Sequence, residues 1–203
     1  MKIICIGRNY AEHAKELGNK IPEAPVFFMK PDTSLLLNNK PFYLPDFSTE
    51  IHHEAEIVIK INRLGKNIEK KFAHRYYDEI GMGIDFTARD LQRKAKEKGL
   101  PWEIAKSFEH SAPLGEFIPK SEIEDIYNID FSLKINGTEV QQGNTRDMIF
   151  PFDELISYIS RFFTLKIGDL IFTGTPEGVG PVKIGDRLEG YIGKRKMIDF
   201  VIK

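Results

Sequence analysis

Apolar residues in this chain fall into short runs broken by glycine, proline and asparagine, and most runs are too brief for helices. "KIICIG" (2–7) reads as a buried strand stopped by Gly7, and "PVFFMKP" (25–31) as a strand closed by Pro31. "TSLLLNN" (33–39) reads as a further strand ending in a turn. "YDEIGMGIDF" (77–86) is strand-like and punctuated by glycine, a pattern that marks close backbone packing. "NIDFSLKINGTEVQQG" (128–143) predicts a hairpin turning at Asn136-Gly137. Toward the C-terminus "DLIFTG", "DRLEGYIG" and "KMIDFVIK" read as three more short strands. Lys-Ile-Gly-Asp occurs twice, at 166–169 and 183–186, and predicts two similar turns that feed strands.

Helical spacing is rarer. "NYAEHAKELG" (9–18) predicts a short helix with Gly18 just past its end. "TARDLQRKAKEKG" (87–99) predicts another, with Thr87 and Asp90 as a capping-box-like start and Gly99 at its end. In "PFDELISYISRFF" (151–163), Phe152, Leu155, Ile156, Ile159 and Phe163 recur on one helical face behind Pro151. Strands dominate and do not alternate regularly with helices. The pattern predicts a mixed, strand-rich α+β fold rather than a doubly wound one.

The segment "IHHEAEIVIKI" (51–61) departs from simple patterning. As one strand it places Ile51, His53, Ala55, Ile57, Ile59 and Ile61 on one face and His52, Glu54, Glu56, Val58 and Lys60 on the other. Glu54 and Glu56 then point the same way, roughly 6–7 Å apart. Like charges at that distance repel unless solvent or a cation lies between them. The segment is thus either an edge strand with a wet face or part of a divalent-cation site.

Composition narrows the field. The 203 residues suit one domain, taken as 1–203 with residues 1–20 as its N-terminal strand and lid helix. A formal net charge of −1 gives no footing for nucleic acid or an anionic membrane. Cys5, the only cysteine, permits no intrachain disulfide and no cysteine zinc site, and reads as a small buried hydrophobe. With no signal-peptide pattern and no apolar run of membrane-spanning length, a cytoplasmic setting is expected.

Asp85, at the end of "GMGID", is the natural third carboxylate for a cation, because a bare carboxylate in apolar company is costly. Thr87 serves better than Asp85 as a helix cap. An all-oxygen set of Glu54, Glu56 and Asp85 favours Mg²⁺, with Mn²⁺ or Ca²⁺ as competitors. His52, on the glutamate face, could stand behind it. His13 and Glu16 share a helix face and could pair as a general base. Arg89 and Gln92, also three apart, could reach an anionic substrate. Lys106 in "PWEIAKSF" is a lysine in apolar surroundings, either buried for function or snorkelling. "TGTPEGVG" (173–180) could form an anion nest or be a permissive turn.

Together "GRNYAEHAKELG", "PVFFMKPDTSLL", "HHEAEIVI", "GIDFTARDLQRKAKEKGLPWEIAKSF", "NGTEVQQGNTRDMIF", "LISYIS" and "GDLIFTGTPEGVG" resemble the fumarylacetoacetate hydrolase family, most of all its short acylpyruvate hydrolase branch. The resemblance runs from residue 7 to about 189. It implies a highly twisted β-roll-like domain with a few peripheral helices, a Mg²⁺ ion and a homodimer. It further implies Glu54, Glu56 and Asp85 as metal ligands, and His13, Glu16 and Lys106 as catalytic residues. Arg89, Gln92 and Thr175 are the implied substrate contacts. The expected reaction is hydrolysis of acylpyruvates (2,4-dioxo acids) to pyruvate and a carboxylic acid. The alternative is decarboxylation, tautomerisation or isomerisation of oxaloacetate and related 2-oxo diacids at the same centre. A non-catalytic 2-oxo-acid binder and a glycosidase using Glu54 and Glu56 are weaker readings.

Overall fold

The computed structural model describes residues 1–16, 18 and 20–203. In chain order the elements are β1 (Ile3–Gly7), α1 (Ala11–Glu16), β2 (Val26–Lys30), β3 (Leu35–Leu36), β4 (Ile51–His53), β5 (Ala55–Ile61), α2 (Lys70–Ala73), β6 (Tyr77–Ile84), β7 (Thr87–Ala88) and α3 (Arg89–Lys98). They continue as α4 (Glu103–Lys106), β8 (Ala112–Pro119), β9 (Asp130–Ile135), β10 (Thr138–Asn144), α5 (Phe152–Ser160), β11 (Leu170–Phe172), β12 (Gly180–Pro181), β13 (Arg187–Ile192) and β14 (Arg195–Val201). A seven-stranded sheet has the order β2-β1-β11-β5-β6-β8-β3, and four strands form a second sheet, β10-β9-β13-β14. β1 with β11 and β3 with β8 run parallel, and the other neighbours in the large sheet are antiparallel. The fold is therefore strand-rich, mixed α+β, as its patterning predicts.

β5 lies between β11 and β6, so both of its edges are paired. Ile57, Ile59 and Ile61 enter the main core. Val58 joins a smaller cluster with Ile3, Cys5, Leu170 and Phe172 on the other face. The wet edge strand is thus overturned. A strand paired on both sides in the middle of a sheet has no free edge, and apolar side chains from other strands of the same sheet pack around Val58 on its glutamate face. The single strand predicted over 51–61 also divides. β4 pairs with β7 and β12 in a three-stranded sheet, while β5 begins at Ala55 in the large one. Glu54 sits at the break, where its carbonyl accepts the Asp85 N–H at 2.8 Å.

Several turns follow directly from sequence. Asn136 and Gly137 both have positive φ (52° and 81°), as a two-residue primed hairpin turn requires. The two Lys-Ile-Gly-Asp turns close alike. The Lys166 N–H donates to Asp169 Oδ2 at 2.8 Å and the Lys183 N–H to Asp186 Oδ2 at 2.9 Å. Gly99 (φ 63°) ends α3 in the left-handed conformation, its N–H turned back to the Ala95 and Lys96 carbonyls.

The start of α3 differs from expectation. Thr87 is paired in β7, and its hydroxyl donates to the Asp85 carbonyl. The Asp90 carboxylate accepts from Ser48 Oγ at 2.6 Å, so no capping box forms. The helix springs straight from a paired strand, and tertiary partners replace the local cap. In α5 the apolar face is buried as predicted, but the helix stops before Phe163, which packs on the core from the following turn. The first predicted helix is present as α1, and Gly18 (φ 65°) follows it; Leu17 lies outside the described residues. Among the described residues no helix is long and apolar enough to cross a membrane.

Glycines let the layers approach. A Cβ on Gly83 would stand 2.4 Å from Phe172 Cε1 and 3.1 Å from the Pro113 carbonyl oxygen. Gly83 pairs with Glu56 across β5 and β6, so this tight contact supports the strand on which Glu56 sits. Gly83→Ala is expected to cost about 1–3 kcal/mol by overpacking, read as a lower urea midpoint with an unchanged slope.

Candidate active site

The β5–β6 register sets Ala55 against Ile84 and Glu56 against Gly83. That brings Asp85, just after β6, beside Glu54, just before β5. Glu54, Glu56 and Asp85 are 6%, 1% and 1% exposed. One carboxylate oxygen from each lies within 4.8 Å of the other two. Two residues two positions apart in one strand region and a third from its neighbour thus converge by strand pairing.

Three cations meet this acid cluster. Lys106, at the end of α4, donates from Nζ to Glu54 Oε2 at 2.8 Å and to Asp85 Oδ2 at 2.7 Å. Arg89, the first residue of α3, donates from one terminal nitrogen to Glu54 Oε1 at 2.5 Å and from the other to Gln92 Oε1 at 2.7 Å. Lys30, the last residue of β2, places Nζ 2.8 Å from Asp85 Oδ1. It also donates to Ser111 Oγ and to the Lys106 carbonyl. All three cations are buried.

Burial alone would raise the Glu54 carboxyl, but Lys106 and Arg89 overcome it and hold Glu54 well below the usual carboxylate range. Glu56 behaves oppositely. Burial, then the negative Asp85 and Glu54, push it well above that range, and the Gly174 N–H (2.7 Å to Oε2) offsets only part. Burial would lower the Lys106 ammonium, but Asp85 and Glu54 reverse this and hold it above the ordinary lysine value. Lys106 therefore stays charged at neutral pH.

His13 and Glu16 pair within α1, with Nδ1 3.2 Å from Oε2, and His13 lines the same cleft as the acid cluster. Arg8, Phe28, Gln92, Lys96 and Trp102 complete much of its wall. The cleft encloses about 30 Å³. A wider basin of about 420 Å³ adjoins it, sharing Arg89, Gln92 and Lys96. Thr175 also lines the cleft, but its hydroxyl donates to the Ala55 carbonyl and accepts from Gln141, so it fastens the loop to β5. The glycine-rich loop spends two N–H groups on the protein's own carboxylates, Gly174 on Glu56 and Gly178 on Glu16.

One expectation is corrected. His52 does not stand behind the acid cluster; the break at Glu54 turns it into the neighbouring basin, where it bonds Glu50 at 2.9 Å. Lys30 escaped sequence reasoning. Its signal was the one that drew attention to Lys106: a lysine ending an apolar run, "VFFMK". His53 is buried against Gln141 at 2.9 Å, and burial pushes it below the ordinary histidine range.

The cluster suits a divalent cation. Its donors are all carboxylate oxygens, which favours hard ions. Glu56 is buried with no cation within ion-pair distance among the described residues, and buried Asp85 Oδ1 accepts no directed hydrogen bond.

Comparison with known proteins agrees with this geometry. The profile of the fumarylacetoacetate (FAA) hydrolase C-terminal family matches residues 2–199, and the chain belongs to that family. It is 48% identical over 185 residues to the mitochondrial oxaloacetate decarboxylase of Dictyostelium discoideum, covering 91% of this chain and 85% of that protein. It is 44% identical over 188 residues to oxaloacetate tautomerase YcgM of Escherichia coli (strain K12), covering 92% and 86%. The crystal structure of fumarylpyruvate hydrolase from Pseudomonas aeruginosa in complex with Mn²⁺ and pyruvate superimposes with a TM-score of 0.94 at 37% identity, covering 100% of this chain and 89% of that one. The names of these relatives favour oxaloacetate chemistry over the acylpyruvate hydrolysis placed first on sequence, and a lyase or isomerase over a hydrolase.

Proposed function

We propose that this member of the family acts, with a divalent cation, on oxaloacetate and related 2-oxo diacids, moving a proton between C3 and the 2-keto oxygen. The observation that carries the reading is the buried Glu54, Glu56 and Asp85 cluster facing Lys106 and His13 in one cleft. Its likeness to oxaloacetate tautomerase YcgM supports the substrate.

Glu54, Glu56 and Asp85 would hold the ion, Mg²⁺ or Mn²⁺, with Ca²⁺ a poorer fit for chemistry. Bound there, the ion supplies Lewis-acid stabilisation of negative charge on the 2-keto oxygen. His13, oriented by Glu16, removes a proton from C3. The Lys106 ammonium compensates the charge that develops on the enolate. Delivering one proton to that oxygen gives the enol, and the reverse path restores the ketone. Arg89 fixes Glu54 and is itself held by Gln92; its Nε, buried without a hydrogen-bond partner among the described residues, is left for substrate. Thr175 positions the loop beside the substrate. α1 closes over the cleft and excludes bulk water.

Decarboxylation is the second reading, favoured by the 48% identical relative. The C3–C4 bond breaks, CO₂ departs, and the bonding pair becomes the enolate of pyruvate, to which His13, entering this path protonated, delivers its proton at C3. Oxaloacetate enol followed by ultraviolet absorbance, with pyruvate assayed in parallel, separates the two. Metal-dependent loss of enol without matching pyruvate is expected, and EDTA should abolish it. EDTA-sensitive turnover of acetylpyruvate with none of oxaloacetate would replace this reading with hydrolysis.

A further inference from the structure

Lys30, Lys106 and Arg89 already pair with Glu54 and Asp85, yet two more cations line the same cleft. Neither Arg8 nor Lys96 has a carboxylate within 4.0 Å among the described residues. We infer that Arg8 and Lys96 form a second anion subsite at the cleft mouth, which takes the distal carboxylate of a diacid and selects diacids over monoacids. The inference rests on the 2-oxo-acid reading above and deepens it.

Position supports it. Arg89, Gln92 and Lys96 are spaced i, i+3 and i+7, so they share one face of α3. That stripe runs ~10 Å from the acid cluster outward, and Lys96 stands at its open end, where the cleft meets the wider basin. The Lys96 ammonium lies 5.6 Å from the Trp102 ring centre, and Trp102 leans on Phe28, so its reach is defined by packing.

Arg8 is held more firmly. It has φ 60°, a left-handed conformation that a non-glycine residue adopts only when its surroundings impose it. Asn9 imposes it: its side-chain amide donates to the Phe150 and Thr173 carbonyls (3.0 and 2.8 Å), and its Oδ1 accepts the Phe150 N–H at 2.8 Å. The backbone at Arg8 is thereby pinned between β1 and the loop after β11.

Charge supports it as well. Burial, and after it Arg8 and Arg89, push the Lys96 ammonium below the ordinary lysine value. These cations repel one another across a common space, and an anion placed there relieves the repulsion. A monoacid bound through its 2-oxo-acid head leaves that space unsatisfied.

The test uses two non-enolisable probes, 3,3-difluorooxaloacetate and 3,3-difluoro-2-oxobutanoate, which differ only in the distal carboxylate. Each is titrated calorimetrically into Mn²⁺-loaded parent protein, Arg8→Gln and Lys96→Gln. The parent is expected to bind the diacid at least about tenfold more tightly, as one charge-assisted contact allows. Each variant should lose about tenfold in diacid affinity and stay within about twofold for the monoacid. Equal losses for both probes, or a parent without diacid preference while the monoacid still binds, overturns the subsite and leaves the 2-oxo-acid reading intact. Binding of neither probe to the loaded parent overturns both.

Discussion

Replacing Glu56 with glutamine is expected to lower kcat/KM for oxaloacetate by about a thousandfold or more while leaving the metal-free protein at least as stable as its parent. The two halves have one cause. Glu56 is the carboxylate of the cluster without a cation partner, its charge opposed by burial, Asp85 and Glu54. Removing that charge weakens the ion's hold but relieves the folded protein of a costly buried anion. The folded-state carboxyl of Glu56 titrates above its unfolded value of about 4.3, so the folded state binds more protons in that window. Its contribution to stability is present below the unfolded value and is lost as pH rises toward the folded one. Urea unfolding of the EDTA-treated parent should therefore show this component falling above ordinary carboxylate pH, and Glu56→Gln should remove it. Retained activity in Glu56→Gln would remove Glu56 from the metal site.

Lys106→Met has the opposite stability signature. Loss of one partner from a buried ion pair typically costs about 3–5 kcal/mol, because the other charge remains in a low-dielectric interior. Here the cost should lie near the lower end, since Arg89 still reaches Glu54 and Lys30 still reaches Asp85. Activity should fall with stability, because in the proposed reaction Lys106 is the cation that meets developing enolate charge. Glu56→Gln and Lys106→Met thus separate the site cleanly: one loses function at no cost in stability, the other loses both. Urea unfolding with matched kinetics reads the contrast, and Lys106→Met as stable as the parent would show that its ion pairs do not secure the acid cluster.

Much of this architecture is local and hence legible. The hairpin at Asn136-Gly137, both Lys-Ile-Gly-Asp turns and the Gly99 cap depend on residues within a few positions of one another. So does the strand-rich α+β character, because apolar periodicity is a property of single segments. The three acids could be chosen because an unexplained carboxylate in an apolar run is conspicuous wherever it lies.

What could not be read is what depends on distant partners. The strand over 51–61 breaks at Glu54 because its two halves pair in different sheets. Thr87 is no cap because β4 claims it, and His52 leaves the site at the same break. Lys30 becomes part of the site through Asp85, fifty-five positions away. By itself, then, the sequence determined the local elements, the family and the candidate acids. Tertiary structure alone decided which cation neutralises which carboxylate, and which anion is left to be met from outside. The physical reason is that periodicity and turn chemistry act over a few residues, whereas burial and Coulomb energy depend on distances between residues far apart in the chain.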